Sequence, residues 1–208
     1  YKDAKTDYVL LLNNDIIVAT DFLAPLISHF SDDNVFAVNA QVFQKDGKTP
    51  GGGLVRGYFH CGLLRLRWAE SQDDRKHESL TLYANGAATI VDKGKFQDLG
   101  GFDRLFYPFY SEDLDISYRA YQHDWVVVYD PKSTVRHDHS VTISNQYSPD
   151  YISYISKRNR ILFILKNVKS RFILTICIIW LGLRFIGSML ILDRVFLKAM
   201  YDATKKAP

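Results

Sequence analysis

The stretch Gly100–Arg119, GGFDRLFYPFYSEDLDISYR, decides how this chain is read, because acidic groups, aromatic surface and a backbone turn crowd into it. Gly100-Gly101 permits positive φ and a close approach of backbone to a ligand. Phe102, Phe106, Tyr107, Phe109 and Tyr110 are too densely spaced for one helix stripe, and Pro108 breaks any helix there, so a loop follows the glycines. Ser111-Glu112 then reads as a helix start with Ser111 as N-cap, and Leu114, Tyr118 and Tyr121 carry the i, i+4, i+7 spacing onward. Glu112, Asp113 and Asp115 therefore occupy a first helical turn, where the helix dipole favours ionised carboxylates. Acidic residues are common in first turns for that reason alone. A carboxylate on a rigid helix start, behind an aromatic loop that excludes water, is also what a general base or a metal site needs.

Toward the N-terminus, Asp7–Leu12 (DYVLLL) ends abruptly in Asn13-Asn14-Asp15, which suits a buried parallel strand delivering polar groups to a cleft. Thr20-Asp21 predicts a capped helix through Phe30, and Asn34–Phe43 predicts the next strand. Lys45–Lys48 signals a turn, Gly51–Gly53 reads as a mobile loop, and Tyr58–Trp68 is a second patterned segment. Arg65–Ser79 reads as solvated and lid-like. Leu80–Asp92 reads as strand, Asn-Gly turn, strand, with a short helix over Lys93–Leu99. Downstream, Trp125–Tyr129 is a strand ended by Asp130-Pro131, and Val135–Ser140 (VRHDHS) sets two histidines beside Asp138.

Taken together, LLNNDI at Leu11–Ile16, GGFD…F…SEDLD…R and VRHDHS resemble the family 2 glycosyltransferases, inverting enzymes of the GT-A fold, especially their rhamnosyltransferase-like branch. The resemblance runs from about Asp7 to Asn167. It implies an α/β, Rossmann-like GT-A domain with a mixed central sheet over residues 1–149, lacking the first half of the nucleotide-binding region. It implies transfer of a sugar from a nucleotide diphosphate donor to a hydroxyl of a saccharide or lipid-linked acceptor, in cell-surface polysaccharide synthesis. In the family, the strand end carries an Asp-x-Asp motif whose last acid holds a divalent metal. Here Asn13 replaces the first acid and Asp15 remains, with Mg²⁺ or Mn²⁺ as the implied ion. His137, or alternatively His139, is the implied second ligand. Asp113 is the implied base from the family's Glu-Asp pair, with Glu112 and Asp115 orienting base and acceptor. Asn85, Gly86 and Ala87 are implied beside the donor sugar, and Gly101 and Phe102 at the substrate. Arg119 is either an ion-pair partner of the acidic turn or a phosphate contact.

Composition supports a folded enzyme-sized chain: 208 residues with 47% hydrophobic and 14% aromatic content exclude disorder. A net charge of +3 gives no case for a nucleic-acid partner. Two cysteines, Cys61 and Cys177, form neither a disulfide framework nor a zinc pattern, and a cytoplasmic location follows.

Residues 150–208 read as a helical tail. Asp150–Asn167 predicts an amphipathic helix with a basic patch at Lys157, Arg158 and Arg160. Phe172–Leu192 is long enough to span a bilayer, but Arg184 interrupts it at an insertion cost of about 2.5–3.5 kcal/mol. The expectation is a helix lying at the inner face of the cell membrane, with a single crossing as its alternative. An exposed sheet edge or this tail offers a route to a homo-oligomer. Two other readings stand beside the enzyme: a non-catalytic, membrane-associated saccharide- or partner-binding remnant, and a metal-dependent phosphohydrolase using Asp15, Glu112, Asp113 and the histidines.

Overall fold

The structure, a computed structural model, describes residues 5–69, 73–137 and 145–207. Its chain divides into two compact units. The first comprises residues 1–56, 66–102 and 116–140, and the second residues 57–65, 103–115 and 141–208. This division differs from a cut at residue 149, because the aromatic loop and the start of the acidic helix group with the C-terminal helices.

The first unit is built on a mixed sheet of order β1-β8-β3-β9-β2, formed by β1 (Tyr8–Leu12), β2 (Ile16–Val18), β3 (Val35–Phe43), β8 (Ala88–Asp92) and β9 (Val126–His137). Strand β4 (Pro50–Gly52) adds to β3, and β7 (Ser79–Leu80) adds to β9. β3 and β9 are parallel, while β8 runs antiparallel to both β1 and β3. Side chains are shared between two cores, by the two-residue period of a strand from Val38 to Val42 and, at Phe36, by the irregularity in the β3–β9 register between Val35 and Ala37. Val38, Ala40, Val42 and Ile90 pack with Phe22 and Leu26 around α1 (Leu23–Ser28). Phe36, Val91 and Val127 pack with Phe96 of α2 (Lys93–Asp98) and with Ile116 and Ala120 of α3 (Glu112–Tyr121).

Several local expectations change. β1 is an edge strand among the described residues, paired antiparallel with β8 and not parallel to a neighbour. The segment Leu80–Asp92 is no hairpin: β7 joins β9, whereas β8 joins β1 and β3. Asp130-Pro131 does not end its strand. β9 continues to His137 across a register shift in which Ala40 faces Asp130 and Gln41 faces Thr134, so residues 131–133 loop out of the ladder. α1 begins later than expected, at Leu23, with Phe22 and not Thr20 or Asp21 at its N-cap position.

Gly51–Gly53 is a packed segment, not a mobile loop. Gly53 has φ 109°, and a Cβ there would lie 2.5 Å from the Ala40 carbonyl oxygen and 3.0 Å from the Tyr129 ring. Only glycine fits so close an approach. Part of the lid-like stretch is likewise strand, β6 (Leu63–Trp68), which forms a two-stranded sheet with β5 (Val55–His60).

In the second unit, Ser148 caps α4 (Pro149–Asn167), and α5 (Arg171–Leu190) and α6 (Arg194–Lys206) follow. Their N-caps, Ser148, Ser170 and Asp193, each accept a hydrogen bond from the backbone three residues on, the ordinary device for starting a helix. The expected basic patch on α4 is partly interior, since Arg158 and Asn159 are buried.

Candidate active site

The first unit gathers Asp15, His137 and Asn85–Ala87 around the carboxyl end of β1. After Leu12 the chain turns tightly, with the Ile16 amide donating to the Asn13 carbonyl at 3.3 Å. This turn points Asp15 at the end of β9. Because β2 and β9 pair with Ile16 opposite His137, the His137 Nε2 comes to 3.0 Å from Asp15 Oδ1, both side chains being largely buried. The sequence places these residues more than a hundred positions apart, and the sheet register brings them together. The companion candidate His139 lies outside the described residues.

The segment Asn85–Ala87 joins the same strand end. The Asn13 amide donates to the Ala87 carbonyl at 3.0 Å, continuing the β1–β8 ladder by one residue. Asn85 is held from beneath by Asn39, a wholly buried polar residue in the middle of β3. Asn39 Oδ1 accepts from the Asn85 amide at 3.1 Å and from Thr89 Oγ1 at 2.6 Å, while its Nδ2 donates to the Gly53 and Tyr83 carbonyls at 2.9 Å each. All four hydrogen-bonding positions of this amide are used, as a buried polar group requires. Gly86 faces open space: a Cβ there would meet nothing within 4 Å. Asn39 is absent from the sequence reading, although a lone Asn in the apolar run VFAVNAQVF is the signal that points to it.

Gly101, Phe102 and Arg119 form a helix cap. The Gly100 and Gly101 amides donate to the Gln97 and Phe96 carbonyls at the end of α2, both glycines having positive φ. Arg119 donates from Nη2 to the Gly101 carbonyl at 2.8 Å and from Nη1 to the Leu99 carbonyl. Phe102 packs edge-on against Phe96 with ring centroids 5.1 Å apart. The three residues thus have a structural duty at the end of α2, while Phe102 remains 39% exposed.

The second unit holds the carboxylates. Asp115 is fully buried. Lys166 Nζ lies 2.7 and 2.9 Å from its two oxygens, Asn167 Nδ2 donates to Oδ1 at 2.9 Å, and the same Lys166 reaches Asp103 Oδ2 at 2.7 Å. This corrects the expectation that Asp115 orients an acceptor: its carboxylate is enclosed and compensated inside the protein. Asp113 keeps a place in the first turn, with Oδ1 accepting from the Leu114 amide at 2.8 Å. Glu112 is half-buried, and its Oε2 is enclosed with no hydrogen-bond partner among the described residues. Burial pushes its carboxyl above the usual range.

The backbone entering this turn is strained. Tyr110 and Ser111 have φ of 72° and 75°, which disfavours the extended N-cap geometry expected of Ser111 and costs on the order of 1 kcal/mol or more per residue. Asn159 holds it: Nδ2 lies 2.7, 2.9 and 2.7 Å from the carbonyls of Phe106, Phe109 and Tyr110, and its Oδ1 accepts from Arg158 Nε at 2.9 Å. Arg158 also donates to the Tyr107 carbonyl at 2.5 Å.

A second group capable of holding a metal, unforeseen from sequence, is His29, Glu78 and Asp130, whose ligand atoms lie within 4.8 Å of one another. Here His29 pairs with Asp130 at 2.9 Å and Lys132 with Glu78 at 2.6 Å, so a lysine already supplies the positive charge.

No family model matches the chain. The chain is 27% identical over 135 residues to the pre-mycofactocin glycosyltransferase of Mycobacterium tuberculosis, a match covering 64% of this chain. It spans 27% of that relative's length, about a quarter. Among solved structures it is similar to GalNAc-T7 with UDP, GalNAc and Mn²⁺, at 18% identity and a TM-score of 0.56, covering 78% of this chain and 32% of that one. It is also similar to the mannosyltransferase PcManGT from Pyrobaculum calidifontis in complex with GDP-Man and Mn²⁺, at 11% identity and a TM-score of 0.50, covering 98% of this chain and 64% of that one. The mixed sheet with helices on both faces, shared at these low identities, is the GT-A fold of glycosyltransferases.

Proposed function

We propose that this chain is the catalytic part of a metal-dependent, inverting glycosyltransferase that moves a hexose or deoxyhexose from a nucleotide diphosphate donor to a saccharide or lipid-linked hydroxyl, in cell-surface polysaccharide synthesis. The observation that carries the reading is the meeting of Asp15 and His137 at the strand end that also positions Asn85–Ala87. A carboxylate and an imidazole at 3.0 Å fit a divalent ion that takes its remaining ligands from water and donor phosphates. The nitrogen ligand favours Mn²⁺ over Mg²⁺. When bound, such an ion would neutralise charge developing on the departing diphosphate.

The chain's own groups supply the rest. The acceptor oxygen attacks the anomeric carbon, the bond from that carbon to the phosphate oxygen breaks, and the diphosphate departs with the electron pair. A sugar hydroxyl is a poor nucleophile, so its proton passes to a carboxylate, for which Asp113 is our assignment. Glu112, whose carboxyl burial holds toward its neutral form, stands beside Asp113 in the first turn and orients it. Asn85–Ala87, fixed by Asn39, present backbone and amide groups to the donor.

The tail reading follows the same logic. Among the described residues α5 is one helix long and apolar enough to cross a membrane. One side of it is already occupied: Cys177, Leu181 and Ser188 are buried, a Cβ at Gly62 would meet Trp180 Cβ at 2.6 Å, and Arg184 lies over the Phe196 ring at 4.7 Å. Its other faces expose Ile178, Ile179, Leu183 and Ile186. A helix packed along one side and apolar on the other supports lying in the membrane surface, at the cytoplasmic face.

The test is transfer from a panel of UDP-, GDP- and dTDP-sugars with Mn²⁺, the product anomer being read by NMR. Retention of configuration would overturn the inverting assignment. Absence of both nucleotide-sugar binding and donor turnover, in a preparation extended to any upstream coding sequence, would overturn the enzyme.

A further inference from the structure

We propose that Tyr110, Tyr147 and Tyr151 form a stacking platform for a pyranose ring of the acceptor saccharide; this rests on the glycosyltransferase reading and deepens it. The Phe109 ring is the centre of the cluster. Its centroid lies 4.9 Å from Tyr110 and 5.3 Å from Tyr147, with Tyr151 at 6.4 Å. Tyr147 and Tyr151 stack at 5.2 Å with their planes 22° apart, so together they present nearly parallel edges and one outer face.

Three observations separate this cluster from ordinary core packing. First, it is half in solvent: Tyr110 is 41% exposed and Tyr151 38%, although aromatic rings assembled for a core are buried, as Phe106 is. Second, the rings gathered around the half-buried Phe109 are all tyrosines. Phenols offer a flat apolar face to sugar C–H groups and a polar rim that leaves the sugar oxygens beside it hydrated. Third, the platform is held rigid before any ligand arrives. Asn159 and Arg158 pin the carbonyls of residues 106, 107, 109 and 110, and a ring with two side-chain torsions loses little freedom on binding.

Its position fits an acceptor and not a donor. Tyr110 precedes Glu112 by two residues and Asp113 by three, so a sugar seated on it is carried by the same loop that carries the proton acceptor. Arg158 is engaged by the Tyr107 carbonyl, the Asn159 amide oxygen and the Tyr154 ring, so its donors are committed to holding the loop.

The experiment is saturation-transfer NMR on the intact chain with methyl α-glycosides of glucose, galactose, mannose and rhamnose, each at about tenfold molar excess or more. Wild type, Tyr151→Leu, Tyr147→Leu and Tyr151→Phe are compared, with folding checked by circular dichroism and Mn²⁺-dependent binding of UDP- and GDP-sugars measured in parallel. Transfer to ring protons of at least one glycoside, reduced fivefold or more in both leucine variants and kept in Tyr151→Phe, supports the platform. No transfer to any glycoside in folded wild type, or equal transfer in the leucine variants, overturns it. If nucleotide-sugar binding persists in that case, the enzyme reading survives without the platform. If glycosides bind while no nucleotide sugar does, the platform stands and the transferase reading falls.

Discussion

Lys166 and Asp115 form a buried ion pair in which one ammonium spans both oxygens of one carboxylate, at 2.7 and 2.9 Å, and holds Asp103 as well. Removing one partner of such a pair leaves an uncompensated charge inside the protein. Lys166→Met is therefore expected to destabilise the chain by about 3–5 kcal/mol, and Asp115→Asn on top of it to restore part of the loss. Denaturant unfolding of the two single variants and the double variant measures the coupling. Additive losses would show that the pair is energetically inert.

Glu112 gives a stability prediction with a definite sign. Its folded carboxyl titrates above the unfolded value of 4.5, so the folded state binds more protons across that window and stability falls as pH rises through it. Glu112→Gln is expected to be more stable than wild type at pH 7 and no more stable at pH 3. A midpoint difference that is the same at both pH values would exclude the desolvation argument.

Asp113→Asn is expected to lower transfer by at least a hundredfold while donor binding stays within about twofold, because proton acceptance is lost with little change in shape. Transfer within about threefold of wild type would remove Asp113 as the base. Glu112→Gln measured beside it then decides whether the neighbouring carboxylate carries the role.

For the metal pair, Asp15→Ala and His137→Ala should each weaken nucleotide-sugar binding in Mn²⁺ by tenfold or more and leave the metal-free affinity unchanged, read by calorimetry. His29→Ala serves as the contrast, and a larger effect there would move the metal to the His29, Glu78 and Asp130 group.

Asn159→Asp keeps the shape of the side chain but turns a carboxylate oxygen toward three carbonyls. A loss of at least about 2 kcal/mol of stability is expected, since buried groups that lose their partner cost that much or more. Faster hydrogen exchange confined to residues 106–112 would localise the effect, and unchanged exchange there would refute the clamp.

The α5 reading is tested by flotation with anionic vesicles. Ile179→Lys with Leu183→Lys should abolish flotation, and alkaline carbonate should release the wild-type chain. Resistance to carbonate together with protection of a C-terminal tag in sealed vesicles would establish a crossing helix instead.

The placement of Asp15 and His137 at strand ends is legible in the sequence, because an apolar run ending in Asn-Asn-Asp and a Val-x-His near a second strand end are local signals. Strand partners are not. An Asn-Gly between two short apolar runs is the chemistry of a hairpin, yet β7 and β8 find different neighbours because long-range register, not the turn, sets pairing. The residues that carry the acidic loop are equally hidden. Lys166 and Asn159 read as polar positions on an amphipathic helix, and only the packing of α4 shows that they face inward. Asp115 reads like a site residue because a carboxylate that braces a turn from inside has the same sequence signal as one that faces a cleft.

The grouping of residues 103–115 with residues 141–208 also sets an order of events during synthesis. When residue 125 leaves the ribosome every carboxylate of the acidic turn is already exposed, whereas Asn159 and Lys166 are still inside the exit tunnel or not yet made. Until α4 emerges, Asp115 has no counter-charge from it and the Tyr110–Ser111 bend has no clamp. The nascent chain thus carries its acidic turn for some forty positions before the groups that clamp and compensate it, which come with the last third of the sequence.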